Sequence, residues 1–276
     1  MRVFRSGGPA RPLVLATACA LIATAAPASA RTAVAISGAV TPAITGFPTT
    51  PQNVALTMEG RVVGDDIDGR FPATATRIVM EFTHGARVNG AYFPSCDPRR
   101  LERMRGRPSA CPRGSKIGSG YAFGTAISVT ARLRMDVYNG PRGRSMLFYF
   151  SCDNPVLIRQ MIDARFEQLR GNRNYGFRLT LPIPEGLQEL TDGMVTSLRQ
   201  FKAKVGGMTV TTRERGRTVK RGFIEAMTCP PGALVITRSQ FSFRGIPSQT
   251  IDSRLGCGTA PPFGPEFPPS VTGSEE

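Results

Sequence analysis

The sequence contains no tryptophan and a single histidine, His84. The first absence removes the indole platforms on which many sugar-binding sites stack their ligands, and leaves polar sugar recognition open. The second makes any hydrolase triad depend on one imidazole. Neither Ser115 nor Ser119 lies in a G-x-S-x-G elbow, and there is no Ser-x-x-Lys pair. With one histidine and no C-x-x-C pair, a zinc site lacks ligands. Beyond residue 30, no apolar run approaches the roughly 18–20 residues that cross a membrane as a helix. No catalytic residue, metal or cofactor is therefore assigned from sequence.

What is present begins with an address. Arg2, Arg5 and Arg11 precede an apolar run from Leu13 to Ala26, and Ala28-Ser29-Ala30 forms an A-x-A cleavage site. This is the pattern of a secretory signal over residues 1–30, with Arg31 as the mature N-terminus. Cys19 interrupts the apolar run but lacks a lipoprotein context: the third residue before it is an alanine, and the run continues beyond it.

Removing the signal takes the formal charge from +15 to about +12. Nearly all of it is arginine, since Lys116, Lys202, Lys204 and Lys220 are the only lysines. A guanidinium fork suits carboxylate and phosphate. An arginine-rich surface also follows from GC-rich codons with no ligand involved. Two runs concentrate the charge: Arg99, Arg100, Arg103, Arg105 and Arg107, continued by Arg113 and Lys116, and Arg213, Arg215, Arg217, Lys220 and Arg221. Such patches attract polyanions with strong salt dependence. For an exported protein the polyanion is an anionic cell-wall polymer, an acidic glycan or a lipid surface, and not genomic nucleic acid.

Five cysteines follow the signal: Cys96, Cys111, Cys152, Cys229 and Cys257. Export favours oxidation, and an odd count leaves one thiol over. Sequence leaves the pairing open. Local pairs, Cys96 with Cys111 and Cys229 with Cys257, are expected, which leaves Cys152 as a candidate for a disulfide-linked dimer.

Hydrophobic periodicity predicts a mostly β-stranded chain. Residues 31–52, with three X-Pro steps, read as an extended lead-in. Alternation starts at Val54, resumes over Arg77–Thr83, and is clearest from Ile127 to Val137, with Met146–Phe150 returning as a hairpin. Val156–Leu169 fits helix and strand almost equally, and the turn at Gly171–Asn174 favours a strand for its second half. Tyr175 to Ile183 alternates cleanly, with Pro182 and Pro184 suggesting a sheet edge. Further strands are predicted near Ser197–Val205, Met208–Thr212, Gly222–Cys229 and Leu234–Phe243. Asp97-Pro98 opens a short helix over Arg99–Arg105 inside the Cys96–Cys111 loop. The resulting expectation is an all-β antiparallel sandwich of two lobes, 53–151 and 152–258, with a helical disulfide loop and a disordered tail over 259–276.

Other candidate chemistry is sparse. Asp65, Asp66 and Asp68 resemble half of a calcium loop, but a turn favours the same residues and the distal glutamate is missing. Gly114, Gly118, Gly120 and Gly124 with Lys116 match neither a P-loop nor a dinucleotide fingerprint. His84 with Cys152 would make a thiol–imidazole pair only if the fold joined them.

The run Phe93-Pro94-Ser95-Cys96 followed by Ala110-Cys111-Pro112-Arg113-Gly114-Ser115-Lys116-Ile117-Gly118-Ser119-Gly120 resembles a motif of uncharacterised secreted β-rich proteins from high-GC actinobacteria. The segment from Thr228-Cys229-Pro230 to Gly256-Cys257 is similar to their closing hairpin. The resemblance implies both local disulfides and a β architecture. It implies no activity, and Cys152 lies outside its pattern. The functional expectation is a non-enzymatic exported protein, envelope-associated or an extracellular binding module. The alternative is a secreted hydrolase built around His84 or acids such as Asp136 and Glu81.

Overall fold

The structure, a computed structural model, describes residues 32–46, 48–64, 72–126, 129–190 and 193–263. The expected signal over residues 1–30, the expected turn at Asp65–Asp68 and residues 264–276 lie outside the described residues.

Among the described residues, alternating side chains build fifteen strands. These are β1 (Thr32–Thr41), β2 (Gln52–Gly64), β3 (Ala75–Thr83), β4 (Ala86–Val88), β5 (Lys116–Ala126), β6 (Val129–Asn139), β7 (Ser145–Cys152) and β8 (Ile158–Gln168). They continue as β9 (Tyr175–Pro182), β10 (Ser197–Gly206), β11 (Thr209–Glu214), β12 (Arg217–Gly222), β13 (Ile224–Ala226), β14 (Leu234–Phe243) and β15 (Gln249–Cys257). Two short helices are α1 (Pro98–Arg103) and α2 (Glu185–Gln188).

The strands do not form a sandwich. They hydrogen-bond in the order β1-β15-β14-β3-β9-β8-β7-β6-β5-β10-β2, and β2 returns to β1 from Thr32↔Gly64 to Thr41↔Ala55. The result is a closed eleven-stranded barrel. Every ladder in it is antiparallel except β1–β15, which is parallel at Gly38↔Leu255. Nor are there two lobes. Strand β10 sits between β5 and β2, while β14 and β15 sit between β3 and β1, so both halves of the chain interleave in one wall. The expected lead-in over 31–52 contains a full barrel strand, β1. The strand ending at Pro182 is central rather than an edge, flanked by β3 and β8; its proline merely terminates the ladder.

One set of alternating residues faces inward and is apolar. Val34 and Ile36, Met58 and Val62, Ile78 and Phe82, Leu133 and Val137, Phe148 and Ile162, and Leu179 belong to a single buried cluster. The outer face is charged. Arg77 and Glu81 on β3, Arg132 and Arg134 on β6, and Arg238 on β14 alternate with the inward set. A barrel embedded in a bilayer has the reverse arrangement, an apolar outer band. No helix among the described residues is long and apolar enough to cross a membrane.

The two ends of the barrel differ. At the upper end, marked by Lys116, Tyr175 and Cys257, β2 extends past β10 and pairs with β13 (Ile224↔Val54), which pairs with β4 (Ile224↔Val88). Strand β4 follows β3 through the His84-Gly85 turn, so this small sheet carries the chain from one wall across the end to another. The β11–β12 hairpin springs from the same end through a tight turn in which Arg215 and Gly216 both have positive φ, at 48° and 78°. At the lower end, the segment carrying α2 is tied by Ile183 N–H donating to the Thr76 carbonyl (3.0 Å) and Thr196 N–H to the Gln188 carbonyl (2.8 Å).

Both expected disulfides are present, Cys96–Cys111 and Cys229–Cys257, with Cα separations of 4.9 and 5.3 Å. The first pins the α1 loop against the outside of β6–β8, where Leu101 buries fully with Tyr138, Leu147 and Tyr149. Asp97 caps α1 by accepting from Arg99 N–H at 2.9 Å, and Pro98 opens its first turn. The second ties the segment after β13 to the end of β15.

Candidate functional site: an apolar lumen

An eight-stranded barrel is just wide enough for side chains to fill it or for one small ligand. Eleven strands enclose more space, and no helix among the described residues runs through this one. A cavity of about 560 Å³ remains, inside the ~300–1,000 Å³ range of small-molecule sites. Its walls include Met58, Ile78, Met80, Phe82, Leu133, Met135, Phe148, Phe150, Ile162, Phe177, Leu179 and Phe201. Leu, Ile and Val side chains are the largest group in the wall, and methionines and phenylalanines set among them add a surface that adapts its shape while offering no fixed polar geometry. Small inward residues make the room: Ala122 and Gly124 on β5, Ala131 on β6 and Ala203 on β10. Gly60 on β2 is opposite Phe201, whose ring occupies the space that a Cβ at position 60 would need.

Polar groups on the inner wall are few. Thr237 and Ser239 on β14 and Ser253 on β15 are buried, Thr237 facing Ser253 across the ladder, and their hydroxyls have no hydrogen-bond partner. None of the three borders the cavity itself; Met80, Phe82 and Leu255 do.

The cavity reaches the upper end through a gap in the wall. Strand β14 pairs with β3 only as far as Thr237↔Phe82, so Leu234–Ile236 continue beyond the ladder, attached to β15 alone. Opposite them lies the Thr83–Ala86 turn, and Thr228 and Pro230 complete the rim. Leu234 and Ile236 are 48% and 50% exposed, and Met227, whose N–H donates to the Gly85 carbonyl at 3.2 Å, is 41% exposed.

Beside the gap, β4 and β13 close the rest of the upper end, presenting Val88, Ile224 and Ala226 to the lumen. Their other face holds Glu225, which is buried. Its carboxylate accepts from Arg87 at 2.6 and 2.8 Å and from Gly222 N–H at 2.9 Å. Burial pushes its pKa up, but the Gly222 N–H, Arg87 and Asn89 together outweigh burial and hold it below the usual glutamate value.

Neither family models nor curated proteins nor solved structures match this chain.

The residues singled out from sequence are placed as follows. His84 is exposed at the rim, with Nε2 2.9 Å from the Asn172 carbonyl oxygen. Cys152 is buried at the lower end of β7, its Sγ 3.1 Å from the Asn154 carbonyl oxygen. The two lie at opposite ends of the barrel, so the thiol–imidazole pair does not form. Asp136 binds Lys116 (2.6 Å) and Arg134 (3.2 Å), and Glu81 binds Arg178 (2.7 Å), so both acids serve ion pairs on the outer wall. Among the described residues no three His, Cys, Asp or Glu side chains gather as a metal site.

Both basic clusters occupy the upper half of the molecule. Arg99, Arg100, Arg103, Arg105, Arg107 and Arg113 are exposed on the disulfide loop, and Arg213, Arg215, Arg217 and Lys220 are exposed on the hairpin. Arg221 differs: it is half-buried and engaged with Glu214 at 2.8 and 2.5 Å. The upper turns add Arg142, Arg144, Arg170 and Arg173, and the acids of that end include Asp97, Glu102, Glu167, Glu214 and Glu225. Sequence reasoning found these cations but missed the lumen, because alternation marks a buried face without saying what the face encloses.

Proposed function

We propose that this chain is an exported, non-enzymatic binding module that holds an apolar small molecule inside its barrel. The observation that carries this reading is the 560 Å³ cavity with an almost wholly apolar lining. A lumen of this kind gains affinity from buried apolar area, at about 25 cal/mol per Å², and selects its ligand by size more than by hydrogen bonding. The export part rests on the signal pattern of residues 1–30 and on two disulfides, which persist in oxidising compartments. In this reading the protein works outside the cell or at the envelope, and the exposed arginines hold it to an anionic surface while the lumen carries the cargo.

The test is uptake of the fluorescent apolar probe N-phenyl-1-naphthylamine by the purified mature protein. Saturable fluorescence enhancement is expected. Ala131→Phe, which pushes a ring into the lumen, should weaken it at least about tenfold, or ~1.4 kcal/mol. Arg132→Ser on the outer face should leave it unchanged. An Ala131→Phe variant that folds and binds the probe as wild type does would reject the lumen as the site.

A further inference from the structure

At the upper end the rim of the lumen is apolar and its surroundings are basic. Beyond Thr237, β14 has no partner on the β3 side, and there Leu234 and Ile236 stand half exposed; Met227, tied to the Gly85 turn across the gap, is exposed as well. Cations flank them. Arg254 lies directly across the ladder from Ile236, and Arg173 follows Asn172, whose carbonyl contacts His84 on the rim. The carboxylates of this wall are occupied, Asp252 by Arg238 (2.8 Å) and Glu81 by Arg178 (2.7 Å). The basic hairpin and disulfide loop extend the same sign over the upper half.

We infer that the upper end docks on an anionic lipid bilayer, with Met227, Leu234 and Ile236 entering the headgroup boundary and the arginines facing lipid phosphates. The inference rests on the lumen reading and supplies its loading route: docked in this way, the gap faces the acyl region, and an apolar ligand passes between bilayer and lumen without crossing water. Exposed apolar side chains ringed by arginine fit such an interface, since interfacial binding scales with buried apolar area plus attraction to anionic lipid. A soluble wall polymer would engage the arginines but has no use for the three apolar side chains.

The experiment is flotation of the mature, disulfide-bonded protein with phosphatidylglycerol–phosphatidylcholine vesicles and with pure phosphatidylcholine vesicles. Probe uptake is measured in parallel without vesicles. Binding to the anionic vesicles alone is expected, falling in high salt as the Debye length shortens. Leu234→Ser/Ile236→Ser should reduce it at least about tenfold, and each charge removed at Arg213, Arg215 or Arg217 about fivefold. Equal binding to neutral vesicles, or undiminished binding by the Leu234→Ser/Ile236→Ser protein, overturns the docking. Normal probe uptake by a protein that ignores both vesicles sinks docking alone. Failure of probe uptake in a protein that still floats sinks the lumen reading instead, and with it the purpose assigned to the gap.

Discussion

Removing the Cys229–Cys257 bridge by a double alanine substitution has two separable consequences. The bridge spans a sequence separation of 28 residues, so the chain-entropy relation assigns it about 3.6 kcal/mol at 25 °C. The Cys96–Cys111 bridge, with a separation of 15, is worth about 3 kcal/mol on the same scale. At about 2–4 °C per kcal/mol for a chain of this size, each double variant should melt roughly 6–14 °C below wild type. Alanine is the choice because all four positions are buried, and serine would add an unpaired hydroxyl. The two bridges part company in what they hold. Cys229–Cys257 ties one side of the gap to β15, whereas Cys96–Cys111 fastens a loop to the outer wall. Calorimetry should show similar losses for the two variants. Stopped-flow release of the lumen probe should accelerate only for Cys229→Ala/Cys257→Ala. Equal release rates in two folded variants would refute the claim that the second bridge controls access.

Two further outcomes follow from buried polar groups. Glu225 has a folded pKa below its unfolded one, so it contributes stability above the unfolded value, and that contribution drains away as pH falls through the folded value. Chemical denaturation of Glu225→Gln from pH 7 to pH 3 should show a lower plateau at neutral pH and a flatter acid limb; an acid limb as steep as that of wild type would contradict this assignment. Thr237→Val replaces a buried hydroxyl that has no partner with a methyl of similar shape, and should raise stability by about 1 kcal/mol in urea titration. A loss of stability there would mean that the hydroxyl is satisfied.

The strands were legible in the sequence because a barrel wall alternates as any half-buried strand does. Closure was not. Whether a one-sided apolar sheet packs on a second sheet or curls onto itself depends on strand order, and order here is set by pairings between residues far apart, such as β10 with β2 and β15 with β1. Strand β1 was hidden by its own composition. Gly38 interrupts the apolar phase of Val34, Ile36 and Val40, and Thr41-Pro42 ends the strand in the manner of a linker. The local disulfides were expected because short loops close easily, and both formed. The basic residues were visible one by one, but their collection at one end was not, since it follows from which turns the topology sends upward. The lumen left its trace in Ala122, Gly124, Ala131 and Ala203: small residues at inward positions of long strands are a signal that the wall encloses space.

The single parallel pair, β1 with β15, sets the order in which this molecule can come into being. A chain delivered N-terminus first exposes the second edge of β1 from the start, and the strand that covers it is the last of the fold to arrive. Until β14 and β15 arrive, β3 and β1 respectively present open edges to a foreign strand. Long-range closure of this kind is slow, so the nascent protein passes through a sticky, trough-shaped stage with its apolar floor uncovered. A chaperone or surface that shields that trough would govern yield more than any substitution that stabilises the finished barrel.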